Sequence, residues 1–247
     1  MTYAIQVEHL QKSYYNKIVV DDLSFEVAKG ECFGLLGHNG AGKSTTIECL
    51  LGLKKYEKGN SKILGLEPRS VRKQLFEKIG VQLQSSCYPN KIKVQELCEE
   101  TAVLYKHTAD YNIMLEEFSL SNVRKQYVST LSGGEKQKLS ILLALLCEPE
   151  VVFLDELTTG LDTAARREIW KLLLERKKKG VTILLTSHYM DEVEILCDKV
   201  CILKNGKILI YQTVEEIIKS SPYDRLEEAY LWYMGEEIIY EKNTNLS

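Results

Sequence analysis

The sequence predicts an α/β fold in which a parallel sheet lies under helices, with antiparallel strands at its margins and a helical insertion. Three observations carry this. Uninterrupted apolar runs, Phe33-Gly-Leu-Leu36, Val151-Val-Phe-Leu154 and Val181 to Leu185, suit strands covered on both faces. Amphipathic stretches at helical spacing alternate with those runs. Near the two ends the pattern changes to period two: Ile5 and Val7, then Phe25 and Val27, and late in the chain Cys201 and Leu203, then Ile208 and Ile210 around Lys204-Asn205-Gly206. These predict half-buried antiparallel strands, the last pair a hairpin.

The helices follow in order. Ile47, Leu50 and Leu51 line one face after Lys43. Between Ser85 and Tyr127 the pattern is helical without a strand, which predicts an inserted α lobe. Leu139, Leu142, Leu143 and Leu146 repeat at i, i+3, i+4 and i+7 in a helix that stops before Pro149. Ala165, Ile169, Leu172 and Leu173 do the same, and that helix ends at Lys177-Lys-Lys-Gly180. There the basic run faces the negative end of the helix dipole and Gly180 is the residue after the cap. Tyr230-Leu-Trp232-Tyr233, at helix-like spacing, reads as a packing or self-association face.

Composition excludes several classes. The 247 residues carry 32 Lys+Arg against 35 Asp+Glu, a net charge of −3, which is not the basic footprint of a nucleic-acid binder. No apolar stretch approaches the ~20 residues that cross a bilayer. The N-terminus lacks the basic and apolar regions of a secretion signal. Cys32, Cys49, Cys87, Cys98, Cys147, Cys197 and Cys201 are scattered through apolar periodicity, the usage of reduced, buried thiols in a cytoplasmic protein. Cys197 and Cys201 are four apart, but no second Cys/His pair completes a zinc set.

Chemistry enters with Gly37-His38-Asn39-Gly40-Ala41-Gly42-Lys43-Ser44-Thr45. This string fits G-x-x-x-x-G-K-[ST], follows an apolar strand and opens a helix, the context that a phosphate-binding loop requires. Gly40 and Gly42 leave backbone N–H groups free to curl around phosphate oxygens, and the helix start adds its positive dipole end. Lys43 supplies charge to β- and γ-phosphates, and the Ser44 hydroxyl suits Mg²⁺.

Asp155 and Glu156 end an apolar strand, at the edge where open α/β sheets bind ligands. Standing alone, such a pair begins a loop or caps a helix. Downstream of a phosphate loop, Asp155 suits a direct or outer-sphere Mg²⁺ contact, and Glu156 is placed to orient or deprotonate water. Leu131-Ser132-Gly133-Gly134-Glu135, just before an amphipathic helix, makes a second anion nest of a hydroxyl, two glycines and a helix N-terminus. One phosphate loop does not need two nests. The second serves the nucleotide of another copy.

With these strings in order, the sequence resembles the ATP-binding cassette family from about Ile5 to Lys219. Besides the phosphate loop, the Asp155-Glu156 pair and the Ser132 nest (the signature usually written LSGGQ), the match includes three more motifs. Ile79-Gly-Val-Gln-Leu-Gln84 ends in the Q-loop glutamine, Thr159-Gly-Leu-Asp162 matches the D-loop, and Thr186-Ser-His188 matches the switch histidine. Tyr14 sits where the family stacks an aromatic on adenine. Tyr15 stands where a glycine often follows, so either tyrosine fits that position, Tyr14 being preferred. Glu135 replaces the usual glutamine of the signature, and Leu157 replaces a proline.

The resemblance implies a P-loop NTPase (RecA-like) parallel-sheet core, an N-terminal antiparallel β subdomain and an inserted α-helical signature lobe. Residues 1–220 would form the nucleotide-binding domain, with the lobe at about 85–135 and a helical tail at 221–247. It implies ATP and Mg²⁺ as ligands. Ser44, Gln84 and Asp155 would be on the metal, and Glu156, His188 and Gln84 at the hydrolysed bond. Two copies, as a homodimer or with a paralogous cassette, would enclose two ATP molecules. Lys43 of one and Ser132 with Gly134 of the other would then hold the same γ-phosphate. A separate transmembrane permease would dock near Gln84 to Pro89 and hold the chain at the inner face of the cell membrane. The strings Leu185 to Val193 and Leu226 to Leu231 resemble ABC-2 exporters of drugs, lipids, polysaccharides or peptides. Rival readings are an import ATPase, a P-loop small-molecule kinase, which has no use for the Ser132 nest, and a non-transport switch acting on DNA or the ribosome.

Overall fold

The computed structural model describes residues 2–84, 88, 89 and 91–236. The chain opens with two long antiparallel strands, β1 (Tyr3–Tyr14) and β2 (Lys17–Ala28). Their apolar alternation is interrupted at register shifts, and the one after Val7 has a plain physical reason. Val7 pairs with Phe25 and Leu10 with Leu23, so β1 carries one extra residue, and His9 takes it up at φ 51. This bulge moves the inward face from odd to even positions, and Leu10 rejoins Ile5 and Val7 in the core. A compensating irregularity on β2 places Asp22 at φ 59, with its carboxylate 2.8 Å from His9 Nδ1. After β3 (Cys32–Leu36) and α1 (Lys43–Leu50), the strand β4 (Lys58–Ile63) returns to pair with β1, which completes a three-stranded sheet in the order β2-β1-β4.

The second sheet contains β3, β5 (Ile79–Gln82), β6 (Val151–Leu154), β7 (Thr182–Leu185), β8 (Lys199–Lys204) and β9 (Lys207–Thr213) in the order β5-β6-β7-β3-β8-β9. All neighbours are parallel except β8 and β9. Here the expectation of half-buried strands at both ends needs correcting. The late hairpin forms, but β8 lies beside β3 inside the parallel sheet, and Val200 to Leu203 are fully buried. Residues of this sheet alternate between two cores. Phe33, Leu35, Val151 and Phe153 face the three-stranded sheet and α1, where Phe25 and Phe33 stack at 5.2 Å. Leu36, Val152, Leu154 and Leu185 face the helices on the other side. Each such large side chain taken from water contributes about 1.5–3 kcal/mol, so two-sided burial explains the unbroken apolar runs.

The helices are α2 (Arg72–Phe76), α3 (Val94–Val103), α4 (Tyr111–Glu117), α5 (Gly133–Leu145), α6 (Thr163–Lys178), α7 (Met190–Leu196), α8 (Val214–Lys219) and α9 (Leu226–Met234). Between 91 and 130 the described residues hold α3, α4 and two short 3-10 turns, with one isolated bridge from Lys93 to Tyr127. Helix α5 lies on β5 so closely that a Cβ on Gly80 would stand 1.8 Å from the carbonyl oxygen of Ala144. Helix α6 ends as its sequence predicts, with Arg176, Lys177 and Lys178 in the last turn and Gly180 at φ 91. Helix α9 packs back on the molecule through Leu226 and Ala229, both fully buried. The C-terminal ends of β3, β5, β6 and β7 lie along one edge of the core sheet, so the segments after Leu36, Gln82, Leu154 and Leu185 meet there.

Candidate functional site: a phosphate loop facing two acids

At that edge the chain leaves β3 through Gly37 (φ 146) and turns at Gly40 (φ 81) and Gly42 (φ 104) before entering α1. Two of these glycines are forced by contact as well as by conformation. A Cβ on Gly37 would stand 2.5 Å from Leu203 O, and one on Gly42 2.7 Å from Val19 O. No side chain caps α1, so its first N–H groups stay open toward the loop. Lys43 is buried and its Nζ donates to the carbonyls of Gly37 (2.7 Å) and His38 (3.3 Å). Burial lowers the Lys43 pKa, while the charges of Glu156 and Asp155 push it back up, which places the ammonium within electrostatic reach of both acids. A cleft of about 290 Å³ opens here, lined by Val19, Asn39, Gly40, Gly42, Lys43, Ser44, Thr45, Gln84 and Glu156. Gly37 and Ala41 are buried behind it. His38 is exposed, with Nδ1 2.7 Å from Asn39 O.

The acids sit opposite the loop in a fixed network. Thr186 Oγ1 donates to Asp155 Oδ1 (2.6 Å) and accepts from the backbone N–H of Glu156 (2.8 Å). Asp155 is buried, and Glu156 takes the left-handed conformation (φ 54), so the chain reverses directly after the buried acid. Glu156 Oε1 lies 3.3 Å from His188 Nε2, which joins the ends of β6 and β7. Two residues that the sequence reading passed over hold this arrangement. Gln82 Nε2 donates to Asp155 O (3.2 Å), and Gln137 Nε2 donates to Leu157 O (2.6 Å) and Glu156 O (3.4 Å). Both are ordinary amides in the sequence, and only the fold brings them to this turn. Leu157 is fully buried, and its N–H donates to Thr186 O at 3.4 Å, a bond that a proline there could not make.

The signature segment lies elsewhere. Ser132 caps α5, accepting from Glu135 N (3.2 Å), while Glu135 Oε2 accepts from both Ser132 N and Ser132 Oγ at 2.8 Å. This closed capping box ties up two of the donors that the nest would present to a phosphate. Gly134 abuts Leu161, with 3.3 Å between its would-be Cβ and Leu161 Cδ2, and Gly133 lines a separate groove of about 370 Å³ with Gln84, Tyr88, Pro89 and Gln137. None of the cleft's lining residues comes from 131–135.

Three further predicted residues occupy distinct places. Asp162 caps α6, accepting from Ala165 N at 2.8 Å. Tyr14 is half-buried under Lys12, whose Nζ is 4.9 Å from the ring centre, and does not line the cleft; Tyr15 is fully exposed at φ 54. Among the described residues no group of three or more His, Cys, Asp or Glu could cage a metal. The donors at the cleft (the Ser44 hydroxyl, the Gln84 amide and the Asp155 carboxylate behind Glu156) are hard oxygens. They fit Mg²⁺ held jointly with phosphate oxygens rather than by protein alone. No helix among the described residues is long and apolar enough to cross a membrane.

Comparison with known proteins agrees with this geometry. Residues 20–159 match the family model for ABC transporters. The Nod factor export ATP-binding protein I of Mesorhizobium japonicum is 42% identical over 212 residues, which is 83% of this chain and 62% of that protein. The chain thus spans less than two thirds of that relative. Its counterpart from Rhizobium johnstonii is 40% identical over 231 residues, 91% of this chain and 71% of that protein. Among solved structures, an ATP-binding subunit of an ABC transporter superposes with a TM-score of 0.86 at 29% identity, covering 94% of this chain and all of that one. An ATP-binding cassette in its ADP conformation shares the fold at 24% identity and a TM-score of 0.75. Family model, relatives and fold therefore agree, and the chain belongs to the ABC transporter family as an ATP-binding subunit, the class of domain that hydrolyses ATP to power transport.

Proposed function

We propose that this chain binds and hydrolyses ATP as one of a head-to-tail pair and thereby drives a separate transmembrane permease that exports its substrate. The observation that carries the pairing is the separation of the two anion nests. The loop cleft holds Lys43, Ser44 and Glu156 but no residue of 131–135, so the Ser132 nest is left to serve a second cassette. Export is favoured by the exporting relatives, whose printed function is Nod factor export. The substrate is chosen by the permease. In this reading residues 1–220 form the cassette with the helical lobe at about 85–135 inserted, 221–247 are an appended tail, and the permease docks beside Gln84 to Pro89, of which 85–87 lie outside the described residues.

In the closed pair the Lys43 ammonium exchanges the Gly37 and His38 carbonyls for phosphate oxygens. The open N–H groups at the start of α1 add to that grip, and Ser132 and Gly134 of the partner meet the γ-phosphate from the other side. Mg²⁺, when bound, neutralises phosphate charge, with Ser44, Gln84 and Asp155 as its protein ligands. Glu156 takes the proton of the attacking water, and His188, 3.3 Å away, holds that carboxylate in place. The test is a Glu156→Gln variant beside wild type, followed by light scattering after size exclusion, with phosphate release in parallel. A variant that pairs on ATP and a wild type that hydrolyses and dissociates support the reading. A variant that stays monomeric beside a wild type that phosphorylates an acceptor overturns it.

A further inference from the structure

The turn that carries Glu156 is held from two sides. Its N–H groups bond to the core sheet: Asp155 N donates to Gln82 O at 2.9 Å, Glu156 N to Thr186 Oγ1 at 2.8 Å and Leu157 N to Thr186 O at 3.4 Å. Its carbonyls bond to a helix. Gln137 Nε2 of α5 donates to Leu157 O at 2.6 Å and to Glu156 O at 3.4 Å. Both partners are acceptors, so the amide must face them with its NH₂ group; the reverse orientation would set oxygen against oxygen. The clamp matters because Glu156 keeps φ 54, a conformation that a residue with a side chain holds only where its surroundings fix it.

Gln137 also belongs to the helix that opens with the second nest. It lies four residues after Gly133, one turn further along the same face of α5, and both line the groove of about 370 Å³. Ser132 and Gly133, at the start of that helix, are exposed, whereas its far end is pinned where Ala144 O meets Gly80 of β5. The exposed end is the part that a second copy's phosphate would meet, and Gln137 joins it to this copy's own acid. We propose that Gln137 is a positioning residue that ties hydrolysis to pairing: once the Ser132 end of α5 seats on the nucleotide of a second copy, Gln137 carries that placement to the 156–157 carbonyls and sets Glu156 toward its own nucleotide. The inference rests on the pairing and ATPase reading above, and the contact it uses is already made in the single chain.

The experiment uses the full chain. Phosphate release is followed over a range of protein concentration that crosses the dimer Kd, beside the affinity for a fluorescent ATP analogue and the dimer Kd itself in the Glu156→Gln background. Wild-type specific activity is expected to rise as the chain pairs. Gln137→Met keeps the length of the side chain and loses its donors, and Gln137→Glu keeps the shape but turns acceptors toward the two carbonyls. Both are expected to pair on ATP and to bind nucleotide within about 3-fold of wild type, while kcat in the pair falls at least ~10-fold. Gln137→Lys, whose ammonium donates to both carbonyls, is expected to bring kcat back to within ~3-fold. Full activation on pairing in Gln137→Met, a loss of pairing or nucleotide affinity as large as the loss of kcat, or a lysine variant no better than methionine overturns the proposal and leaves the functional reading standing. A wild type that releases no phosphate overturns that reading, and the proposal falls with it.

Discussion

Glu135 is where this signature departs from its family, and the structure turns that departure into a measurable prediction. Its carboxylate accepts from both the N–H and the hydroxyl of Ser132 at 2.8 Å, the groups that a γ-phosphate from a second cassette would need. Two effects oppose each other when glutamine replaces it. The capping box keeps a neutral acceptor but loses a charge at the positive end of α5, costing about 0.5–1 kcal/mol of stability. For a chain of this length that is a melting-point drop of about 1–4 °C. Against this, a carboxylate left ~5 Å from an incoming phosphate charge costs about 3 kcal/mol at an effective dielectric of 20. The side chain avoids that by swinging away and giving up two charge-assisted bonds, which costs on the order of 1 kcal/mol more than releasing the two neutral bonds of a glutamine. The cheaper route sets the effect, and a symmetric pair incurs it twice. Glu135→Gln placed in the Glu156→Gln background is therefore expected to tighten ATP-driven pairing by about 2 kcal/mol, roughly 30-fold in the dimer Kd. Sedimentation velocity at saturating ATP reads this directly, and the gap between the two proteins should narrow as salt screens the charge. An unchanged or weaker dimer would refute the reasoning, because it would mean that the carboxylate does not compete with phosphate for Ser132.

The other predictions concern the frame around the site. Gly80→Ala drives a Cβ to within 1.8 Å of Ala144 O, and separating β5 from α5 is expected to cost about 2–4 kcal/mol, seen as an earlier urea midpoint. The Glu192 carboxyl is held above its ordinary value of 4.5 by burial, so the folded chain keeps a proton that the unfolded chain gives up. Stability therefore falls as pH rises past 4.5, and the urea midpoint of Glu192→Gln should gain on wild type over that range; parallel curves would contradict the assignment. The thiols of Cys49 and Cys147 are pushed up to about 11 by burial. Both should react with an aromatic disulfide only on unfolding, and prompt modification of either in the native chain, located by mass spectrometry, would contradict their burial.

How much of this was legible depended on whether a residue's role is local. The phosphate loop could be read because its spacing, its left-handed glycine turns and the helix start that follows are local features of the chain, although the contacts that force Gly37 and Gly42 come from Leu203 and Val19. The Ser132 segment reads as an anion nest, and that reading misses the box that Glu135 closes on it. The end of α6 followed from its basic last turn and Gly180, which are equally local. Where the deciding partner is distant, the pattern gave little. β4 is polar and mostly exposed, and pairing with β1 rather than burial makes it a strand. Cys201 and Leu203 read as half of an edge hairpin, but Val200 to Leu203 are apolar without a break, and the place of β8 beside β3 buries both faces. Gln82, Gln137 and Thr186 show no periodicity that marks them; each matters because a backbone group from ~20 or more residues away comes within hydrogen-bonding distance.

The order β5-β6-β7-β3-β8-β9 also has a consequence for how the chain is made. The strand that presents the phosphate loop is the third to be synthesised, yet both of its sheet neighbours, beginning at Thr182 and Lys199, emerge ~150 residues later, about 10–30 s at ribosomal speeds. The three-stranded sheet, in contrast, has all its strands by Ile63. A nascent chain is expected to gain that early platform first and to hold the loop without its supporting edge until β7 and β8 arrive. The stretch shared most plainly with the family, 20–159, stops short of both. A fragment cut to those bounds would carry Lys43, Asp155 and Glu156 but not the two strands that keep β3 in place, and is expected to behave as an unfolded peptide that binds nucleotide no better than its composition allows.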